Sequence, residues 1–537
     1  MQEAVGLHQQ GQLAAAEKIY ARILKNYPNQ FDALHLLGLS KLQSGKAGEA
    51  QRLITAALKV NPNSPDALAN LGLVLCALKR PADALTSFDQ ALAIDPNHFE
   101  ALANRGNVLI DLGRPDDALA VADKVLAREP RHLPSRVNRA NALLALGQGD
   151  AAIAEYDGAL ALNPNDIKAL FNRANALFDA GRYPESLAGY DRLLALVSQH
   201  AEAWNSRGLT LQALGRHQDA RASYTKAMSL QKDHADAHFN AALALLTLGD
   251  YTGGFAAYEW RWKRRARRSF GRPLWLGEYP LGRKAILLHA EQGLGDTIQY
   301  ARYALLLAQG GAKVALEVQG ELKSLLAGLE NVTVLARGEA LPAFDLHCPL
   351  GSLPLACKTT LESVPAAIPY LRADEERVGK WRPRLEALPG KRIALAWAGN
   401  PVHINDRNRS IALARLRPLL GIPGVSFVSV QRDLRDSDRE FLGENHITHF
   451  GDGLADFDDT AAILALADLV VTVDTAVAHL AGAMGRPLWL LLPFWPDWRW
   501  TLDRDSPWYP HARLFRQGQG GWDPVIEQVR TEILKIS

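Results

Sequence analysis

The sequence has few cysteines and no long apolar run. Its 537 residues include three cysteines, Cys76, Cys348 and Cys357, an odd number at scattered positions. Such positions give neither a disulfide framework nor a zinc-binding spacing, so we expect reduced thiols. The longest apolar run, residues 488–495, is interrupted by Pro493 and is far shorter than the ~20 residues that cross a membrane. The sequence thus argues against a disulfide-stapled or membrane-spanning protein.

An excess of charge of one sign is also missing. The 60 Lys and Arg residues nearly balance the 58 Asp and Glu residues, for a formal net charge of +2. No overall field therefore favours nucleic acid or a membrane surface as a partner. The first residues lack the basic and apolar regions of a secretory signal, which predicts a cytoplasmic protein. At this length we expect several domains.

What the sequence does contain is a repeat of 34 residues in its N-terminal half. Prolines recur at this spacing at positions 28, 62, 96, 130 and 164. If Pro62 is repeat position 32, small residues fall at positions 8 and 20 and tyrosines at position 24. The small residues are Gly38, Gly72, Gly106 and Gly208, then Ala16, Ala50, Ala84, Ala118, Ala152 and Ala220; the tyrosines are Tyr20, Tyr156, Tyr190, Tyr224 and Tyr258.

These residue types suit a pair of packed helices. Small residues let two antiparallel helices approach, an aromatic ring fills the gap, and proline ends the second helix. The pattern resembles the tetratricopeptide repeat (TPR). The resemblance implies an α-solenoid, a TPR superhelix of about seven units over residues 1–268, with a concave groove. Six full units run from about 31 to 234, a partial unit precedes them, and a degenerate cap follows; a truncated N-terminus is also compatible with this pattern.

A column of asparagines indicates what the groove binds. A primary amide both donates and accepts hydrogen bonds, so a ladder of amides can hold an extended peptide backbone. This resembles the asparagine ladder in the TPR arm of eukaryotic-type O-linked N-acetylglucosamine transferases. The alternative is that these asparagines stabilise helix starts or bond neighbouring repeats. The column comprises Asn70, Asn104, Asn138, Asn172 and Asn240 at position 6, with Asn107, Asn141 and Asn175 at position 9.

Arginines at repeat position 7 predict a locally basic inner face, and hence an acidic or flexible peptide partner. They are Arg105, Arg139, Arg173 and Arg207. A further cationic segment, residues 259–268, is interpreted as a solvated helix end that joins two domains, with an anion site as the alternative.

The C-terminal half changes to short apolar runs that alternate with helical segments, which predicts parallel sheets with crossover helices. Two such halves, 269–390 and 391–537, with a hinge near 372–391, describe the GT-B architecture of two Rossmann-like halves. The predicted strands are Ile286–His289, Val314–Val318, Val332–Leu335, Phe344–His347, Ile393–Trp397, Phe427–Val430, Leu469–Val473 and Leu488–Leu492.

Two loops in this half carry candidate chemistry. The first, Gly293-Leu-Gly295-Asp296, follows the first predicted strand, and its glycines permit close approach of a ligand. The second runs from Asp474 to His479 and opens a helix whose N–H groups suit a diphosphate. The structural alternatives are that Asp296 caps a helix and that His479 is a core histidine with its hydrogen bonds satisfied.

The order of these motifs, followed by Gly485-Arg-Pro, resembles the heptosyltransferase-type glycosyltransferases over about 284–525. A bacterial group that fuses TPR arms to this transferase, including flagellin-modifying enzymes, is still more similar. The resemblance implies that Asp296 is the base and that the loops contact the nucleotide-sugar. An arginine replaces the family's usual phosphate-binding lysine, and we favour Arg409 over Arg407. The implied nucleotide-sugar contacts are Gly293, Gly295, Arg409, Gln431, Asp474, Thr475, Ala476, Val477 and His479.

The predicted reaction is inverting transfer of a sugar to Ser or Thr of a protein held in the TPR groove. Asp296 accepts the proton, with Glu291 and His403 as alternative bases. No aspartate-rich or His-x-His spacing occurs, so neither a metal nor another cofactor is expected; the nucleotide-sugar is a substrate. The first half is assigned to the acceptor and the second to the donor. Two alternatives remain open: transfer to a glycan or lipid-linked saccharide with the arm docking a partner, and a non-catalytic scaffold.

Overall fold

The computed structural model describes residues 1–402, 405–444, 447–502, 505–518 and 520–537. The chain forms two compact units, residues 1–207 and 208–537. The predicted fold class is confirmed: stacked helical repeats are followed by an α/β region with two parallel sheets. Within the described ranges, no helix combines the length and apolar character that a bilayer crossing requires. The domain boundaries at 268 and 390 stay a prediction.

The repeats are built from antiparallel helix pairs, and the first compact unit ends within α13. The helices are α1 (Gln2–Gln9), α2 (Leu13–Asn26), α3 (Phe31–Gln43), α4 (Ala47–Val60), α5 (Pro65–Ala77), α6 (Pro81–Ile94), α7 (Phe99–Asp111), α8 (Pro115–Leu126), α9 (Leu133–Ala145), α10 (Gly149–Leu162), α11 (Ile167–Asp179), α12 (Tyr183–Leu196), α13 (Ala201–Ala213), α14 (His217–Leu230), α15 (Ala235–Thr247) and α16 (Tyr251–Tyr258).

Repeat position 8 is small because position 24 occupies the space beside it. A Cβ atom on Gly72 would lie 2.6 Å from the ring of Phe88, and one on Gly38 would lie 2.6 Å from Ile54. The alanines at position 20 and the tyrosines at position 24 are buried. These repeats therefore close around one large side chain, and their 34-residue spacing of small and large residues follows from that packing.

The α/β region begins after a short helix. Its elements are α17 (Arg261–Arg264), β1 (Ala285–His289), α18 (Leu294–Gln309), β2 (Lys313–Val318), α19 (Lys323–Leu326), β3 (Val332–Ala336), β4 (Leu346–Pro349), α20 (Leu353–Ala356), α21 (Glu375–Glu386), β5 (Lys391–Ala396), α22 (Asp406–Arg409), β6 (Val425–Ser429), α23 (Asp436–Glu444), β7 (Thr448–His449), α24 (Phe457–Leu466), β8 (Leu469–Val473), α25 (Ala476–Ala483), β9 (Leu488–Leu492), β10 (Ala512–Arg516) and α26 (Asp523–Leu534). The 3₁₀ helices are Gly320–Leu322, Leu350–Ser352, Leu413–Leu419, Gly451–Gly453 and Trp498–Trp500.

Both sheets are parallel, and in each of them the order in which strands are added reverses at the first strand of the sheet. The strand orders are β3-β2-β1-β4 and β10-β9-β8-β5-β6-β7. The chain leaves β1 toward β2 and returns on its other side at β4; it does the same around β5, with β6 on one side and β8 on the other. Such reversals open a crevice at the carboxyl ends of the strands. The loops after β1 and β8 both lie at such a point.

Two strands escaped the sequence analysis. The short strand β7 extends one edge of the second sheet, and β10 forms its other edge beside β9. The predicted hinge near 372–391 contains α21, a helix that packs on α24 through a hydrogen bond of 2.8 Å from Trp381 Nε1 to Asp459 Oδ1. Several cations of 259–268 form ion pairs inside the second compact unit, among them Arg264 with Asp236 and Arg268 with Glu317.

The Gly72→Ala substitution tests the packing rule of the repeats. The added methyl would overlap the Phe88 ring, and overpacking of this kind costs about 1–3 kcal/mol. The control is Gly48→Ala in α4, where a Cβ has open space within 4 Å. Alanine in a helix favours folding by up to ~1 kcal/mol over glycine. Thermal unfolding followed by circular dichroism should show a lower midpoint for Gly72→Ala alone; equal midpoints would contradict the rule.

Candidate functional site

The two predicted loops meet at the first turns of α18 and α25. Gly295 lies between these helices: a Cβ there would be 2.7 Å from His479 Cδ2 and 3.4 Å from the Cα of Ala476. Only a residue without a side chain allows this approach. The structure therefore brings together Gly293, Gly295 and Asp296 from the first half with the 474–479 loop from the second.

Asp296 is held on both of its carboxylate oxygens. Oδ2 accepts a hydrogen bond of 2.9 Å from the Gly293 backbone N–H, which closes the first turn of α18. Oδ1 forms an ion pair with Arg499 Nη2. The side chain is nevertheless 23% exposed. Asp296 therefore does help to cap the start of α18, and its carboxylate also reaches the surface of the site.

Arg499 is the site residue that the sequence analysis missed. It lies in the 3₁₀ helix Trp498–Trp500, after β9, and its guanidinium also donates to Gln299 Oε1 at 2.6 Å and Asp497 Oδ1 at 2.8 Å. Burial alone would lower the pKa of Arg499, but the charges of Asp497 and Asp296 raise it well above its usual value. The segment Asp497-Trp-Arg-Trp500 is the local feature that could have drawn attention to Arg499. No spacing linked this segment to Asp296.

Asp474 is a buried carboxylate that opens the second loop. Burial, and then the charge of Asp497, raise the pKa of Asp474 to about 6, against the opposing effect of Arg409 and Arg499. Arg409 donates a hydrogen bond of 3.0 Å to the backbone oxygen of Asp474. A carboxyl group kept buried at this cost is typical of functional sites.

Arg409 approaches this loop, whereas Arg407 is exposed. The Arg409 guanidinium packs on Gly399, where a Cβ would lie 2.8 Å from Cζ, and its Nε is 3.8 Å from Asp406 Oδ1. The loop after β5 thereby holds a cation beside the start of α25. This placement supports the choice of Arg409 over Arg407 as a phosphate ligand, which itself stays a prediction.

His479 is buried and neutral. Burial, then the charges of Arg499 and two further arginines, lower its pKa well below the usual value. Its Nδ1 lies 3.1 Å from the Tyr509 hydroxyl, and its ring stacks on Trp500 with centroids 5.4 Å apart. The histidine thus forms part of the core beneath the loop. The neighbours Thr475, Ala476 and Val477 are half-buried, and their N–H groups lie in a first turn, where intrahelical acceptors are lacking.

Gln431 braces the sheet rather than projecting from it. Its Oε1 accepts from the N–H groups of Trp397 and Ala398 at 3.2 and 3.1 Å, and its Nε2 donates to the oxygens of Ala398 and Asp433. Both ends of the amide are used by the backbone at the ends of β5 and β6. A nucleotide contact through this side chain would compete with these bonds.

Glu291, an alternative base, belongs to a buried ion-pair cluster. Burial raises the pKa of Glu291 against the lowering effect of Arg261, whose Nη2 lies 3.0 Å from Glu291 Oε1. Arg261 also donates to Ser352 Oγ at 2.6 Å. The next residue, Gln292, hydrogen-bonds the hydroxyl of Tyr258 at 3.0 Å. The last repeat thus supports the first site loop. The other alternative base, His403, lies outside the described residues.

The position-6 asparagines are tied into the array. Asn138 Nδ2 donates to the backbone oxygen of Ala103 at 2.6 Å, Asn172 Nδ2 to Asn141 Oδ1 at 3.1 Å, and Asn70 Nδ2 lies 2.8 Å from His35 Nε2. These bonds join neighbouring repeats, which is the structural alternative considered for the column. Asn104 and Asn240 are half-buried.

A pocket in the first compact unit includes all three position-9 asparagines in its lining. Its volume is about 440 Å³. Asn141 Oδ1 accepts from the Tyr156 hydroxyl at 2.5 Å, and Asn175 Oδ1 accepts from the Tyr190 hydroxyl. The carboxamide oxygens are therefore engaged, while the –NH₂ groups are donors suited to carbonyl oxygens. The lining residues are Asn107, Ile110, Asp111, Asn141, Leu144, Tyr156, Asn172 and Asn175.

The predicted basic inner face is wrong, because each position-7 arginine is neutralised. Each one pairs with an aspartate 16 residues earlier, on the second helix of the preceding repeat, at 2.6–2.7 Å. The charge pattern thus joins repeats and gives no support to an acidic partner. The pairs are Arg105–Asp89, Arg139–Asp123, Arg173–Asp157 and Arg207–Asp191.

Comparison with known families gives a match in each part of the chain. Tetratricopeptide-repeat profiles match residues 4–29, 35–99, 87–120, 104–167, 171–228 and 207–266. A profile described as glycosyltransferase family 9 (heptosyltransferase) matches residues 453–491, a segment that includes Asp474 and His479. The chain is therefore a TPR repeat protein whose C-terminal region matches this glycosyltransferase family.

Individual relatives are more distant. Protein FlbA of Caulobacter vibrioides is 29% identical over 285 residues, and the chain spans about half of its length, 48% of each protein. A TPR protein from Parabacteroides merdae aligns at a TM-score of 0.41 with 22% identity, over 45% of this chain and 96% of the other. A thermophilic TPR protein of Thermus thermophilus gives 0.32 with 27% identity, over 34% and 100%. These structural scores carry no argument about function.

The Asp474→Asn substitution tests whether the buried Asp474 carboxyl has a raised pKa, through its effect on the free energy of unfolding. Because the folded-state pKa of about 6 exceeds the unfolded value of about 4, the folded state binds the proton more tightly. The stability that this proton contributes is complete below about pH 4 and is lost as the pH rises through 6. We expect Asp474→Asn to be up to about 3 kcal/mol more stable than wild type at pH 7.5, and nearly equal at pH 4.

The measurement is the difference in unfolding midpoint between variant and wild type at the two pH values. Asp233→Asn, in which the replaced carboxylate is exposed, serves as the control and should give the same small difference at both. If Asp474→Asn behaved like this control, the carboxyl would not carry a raised pKa.

Proposed function

We propose that the protein is an inverting glycosyltransferase that moves a sugar from a nucleotide-sugar to a Ser or Thr hydroxyl of a polypeptide bound by its repeats. One observation carries the proposal: Gly295 lets the first turn of α18, which bears Asp296, approach the first turn of α25. A proton acceptor and an anion-binding helix start then flank the same space. The family 9 match to the second of these segments supports the sugar-transfer assignment.

The proposed reaction is a single displacement. The acceptor hydroxyl oxygen bonds to the anomeric carbon while the bond from that carbon to the nucleotide phosphate oxygen breaks. Attack from the opposite face inverts the configuration. Asp296 takes the hydroxyl proton as the new bond forms, and the departing nucleotide keeps the electron pair of the broken bond. All atoms are accounted for without an added reactant.

In this proposal a cation and backbone N–H groups stabilise the negative charge that develops on the leaving phosphate. Arg409 stands beside Asp474, and the first turn of α25 offers the N–H groups of Ala476 and Val477. Together they supply the electrostatic stabilisation that the leaving group requires. Among the described residues, no group of three or more His, Cys, Asp or Glu side chains is placed to hold a metal ion, so the proposal assigns this task to the protein's own cation and helix.

The polypeptide acceptor is supported by the pocket at position 9 rather than by the position-6 column. The –NH₂ groups of Asn141 and Asn175 suit main-chain carbonyls, which every polypeptide offers. A second candidate has its own support: because Asn70, Asn138 and Asn172 bond within the array, the repeats can act as a docking arm while the acceptor is a glycan or a lipid-linked saccharide.

The Asp296→Asn substitution tests the base. Asparagine can still accept the Gly293 N–H bond, so we expect an intact fold, whereas loss of a general base costs about 10²–10⁴ in rate. Uridine, guanosine, adenosine, thymidine and cytidine nucleotide-sugars would be screened for nucleotide release by the wild-type chain. Binding of the consumed donor should survive in Asp296→Asn. The control is Asp345→Asn, which alters a carboxylate that accepts from the Ala285 N–H at 2.9 Å outside the site; full turnover by Asp296→Asn would remove the proposed role.

The groove is tested by replacing three asparagines with alanine. The Asn107/Asn141/Asn175 variant should lose modification of polypeptides at least about tenfold, since each lost amide bond costs ~1 kcal/mol, while hydrolysis of the donor continues. The control removes the exposed interhelical asparagines Asn63, Asn97 and Asn165. Mass spectrometry of cell proteins supplies the readout. Retained polypeptide modification would instead favour the docking role of the repeats.

A further inference from the structure

The proposed base is held by a buried cation from the other half of the α/β region. Arg499 has a side chain only 8% exposed, and it bonds to α18 twice, through Asp296 and Gln299. Its remaining partner, Asp497, belongs to its own 3₁₀ helix. The guanidinium is therefore fixed by three side chains from two segments that are about 200 residues apart in the chain.

The surroundings of Arg499 make its ion pair with Asp296 strong. The Trp498 ring centroid lies 4.6 Å from its Cζ atom, and the Tyr300 centroid lies 5.9 Å away. Little water reaches the guanidinium, so its charge must be balanced by its partners. Hydrogen bonds between such a buried guanidinium and a carboxylate are short and fix the carboxylate in one orientation.

Other ionisable groups surround Arg499. The Asp497 carboxylate forms a second ion pair with Arg499, and its charge contributes to the raised pKa of Asp474. Tyr258 and Tyr300 are neutral phenols whose pKa values burial raises, and His479 is neutral. Arg409 is directed at the Asp474 backbone. Arg499 is the cation with which the Asp296 carboxylate forms an ion pair.

We propose that Arg499 is a positioning residue for the transfer reaction, holding the Asp296 carboxylate fixed at the start of α18. This inference rests on the proposed role of Asp296 as the base. Arg499 does not itself take the proton. It holds the acceptor of that proton in the position from which the proton is taken.

The direct test follows the Asp296 carboxyl in the full-length chain. With ¹³Cγ-labelled aspartate, the resonance that disappears in Asp296→Asn identifies this carboxyl, and its shift is followed against pH. In Arg499→Met, loss of the partner cation should move the titration midpoint to a higher pH than in the wild-type chain. In Asp497→Asn, loss of a neighbouring negative charge should lower it. No donor or acceptor is needed.

The second readout is the pH dependence of donor consumption. A base must be deprotonated to act, so the acid limb of the rate profile should move up in pH for Arg499→Met and down for Asp497→Asn. Arg499→Lys retains a charge but not the planar fork, and it should give an intermediate midpoint. The matched control is Arg302→Met, a buried arginine that donates to the backbone oxygens of Pro365 and Trp508, and it should leave the midpoint unchanged.

An unmoved midpoint in Arg499→Met would overturn the inference. If Arg499→Met did not fold, the midpoints of the other two variants would decide. A midpoint above the wild-type value in Asp497→Asn, or a midpoint equal to it in Arg499→Lys, would contradict the proposal. Failure of the proposed function is recognised separately, by a wild-type chain that consumes no donor or by a fully active Asp296→Asn.

Discussion

The contact between two helix starts at Gly295 determines the arrangement of the candidate site. α18 and α25 belong to different sheets, and their first turns touch where the glycine leaves room for the His479 ring. Around that contact, each half adds what the other lacks: the first supplies the Asp296 carboxylate, and the second supplies Arg499, Asp474 and a helix start. A side chain at residue 295 would separate these groups, whatever their own conformations.

The candidate site is supported by the repeats that precede it. Tyr258, the last of the position-24 tyrosines, hydrogen-bonds Gln292, and Tyr251 accepts a hydrogen bond of 3.0 Å from Trp508 Nε1. The second compact unit accordingly begins within α13, before the repeats end. The final repeats are as much a part of the α/β region's core as they are of the array. Position 24, whose aromatic side chains pack within the repeats, here places Tyr258 against the first site loop.

The fold could be predicted from the sequence because it rests on local periodicities. The glycine–alanine–tyrosine spacing defined the helix pairs, and apolar runs located β8 and β9 to the residue. The short strand β7 has no such run, and β10 mixes two arginines with its apolar residues, so both were missed. Arg499 escaped for another reason: its partner Asp296 lies about 200 residues away, and no local pattern encodes such a pair. The arginine column was seen, but its effect depends on aspartates in the preceding helix, so the basic face predicted from it was wrong.

The ion pairs between repeats have a consequence for the evolution of the array. Each arginine and its aspartate partner recur at the same 34-residue spacing, so the four junctions from Asp89 to Arg207 share one pairing surface. Duplication or loss of a whole unit by recombination re-forms these pairs at the new junction. A change by a fraction of a unit instead leaves arginines and aspartates without their partners at that junction. The length of the arm can therefore vary between descendants in whole steps without a new interface having to arise, while the repeats that support the first site loop stay in place.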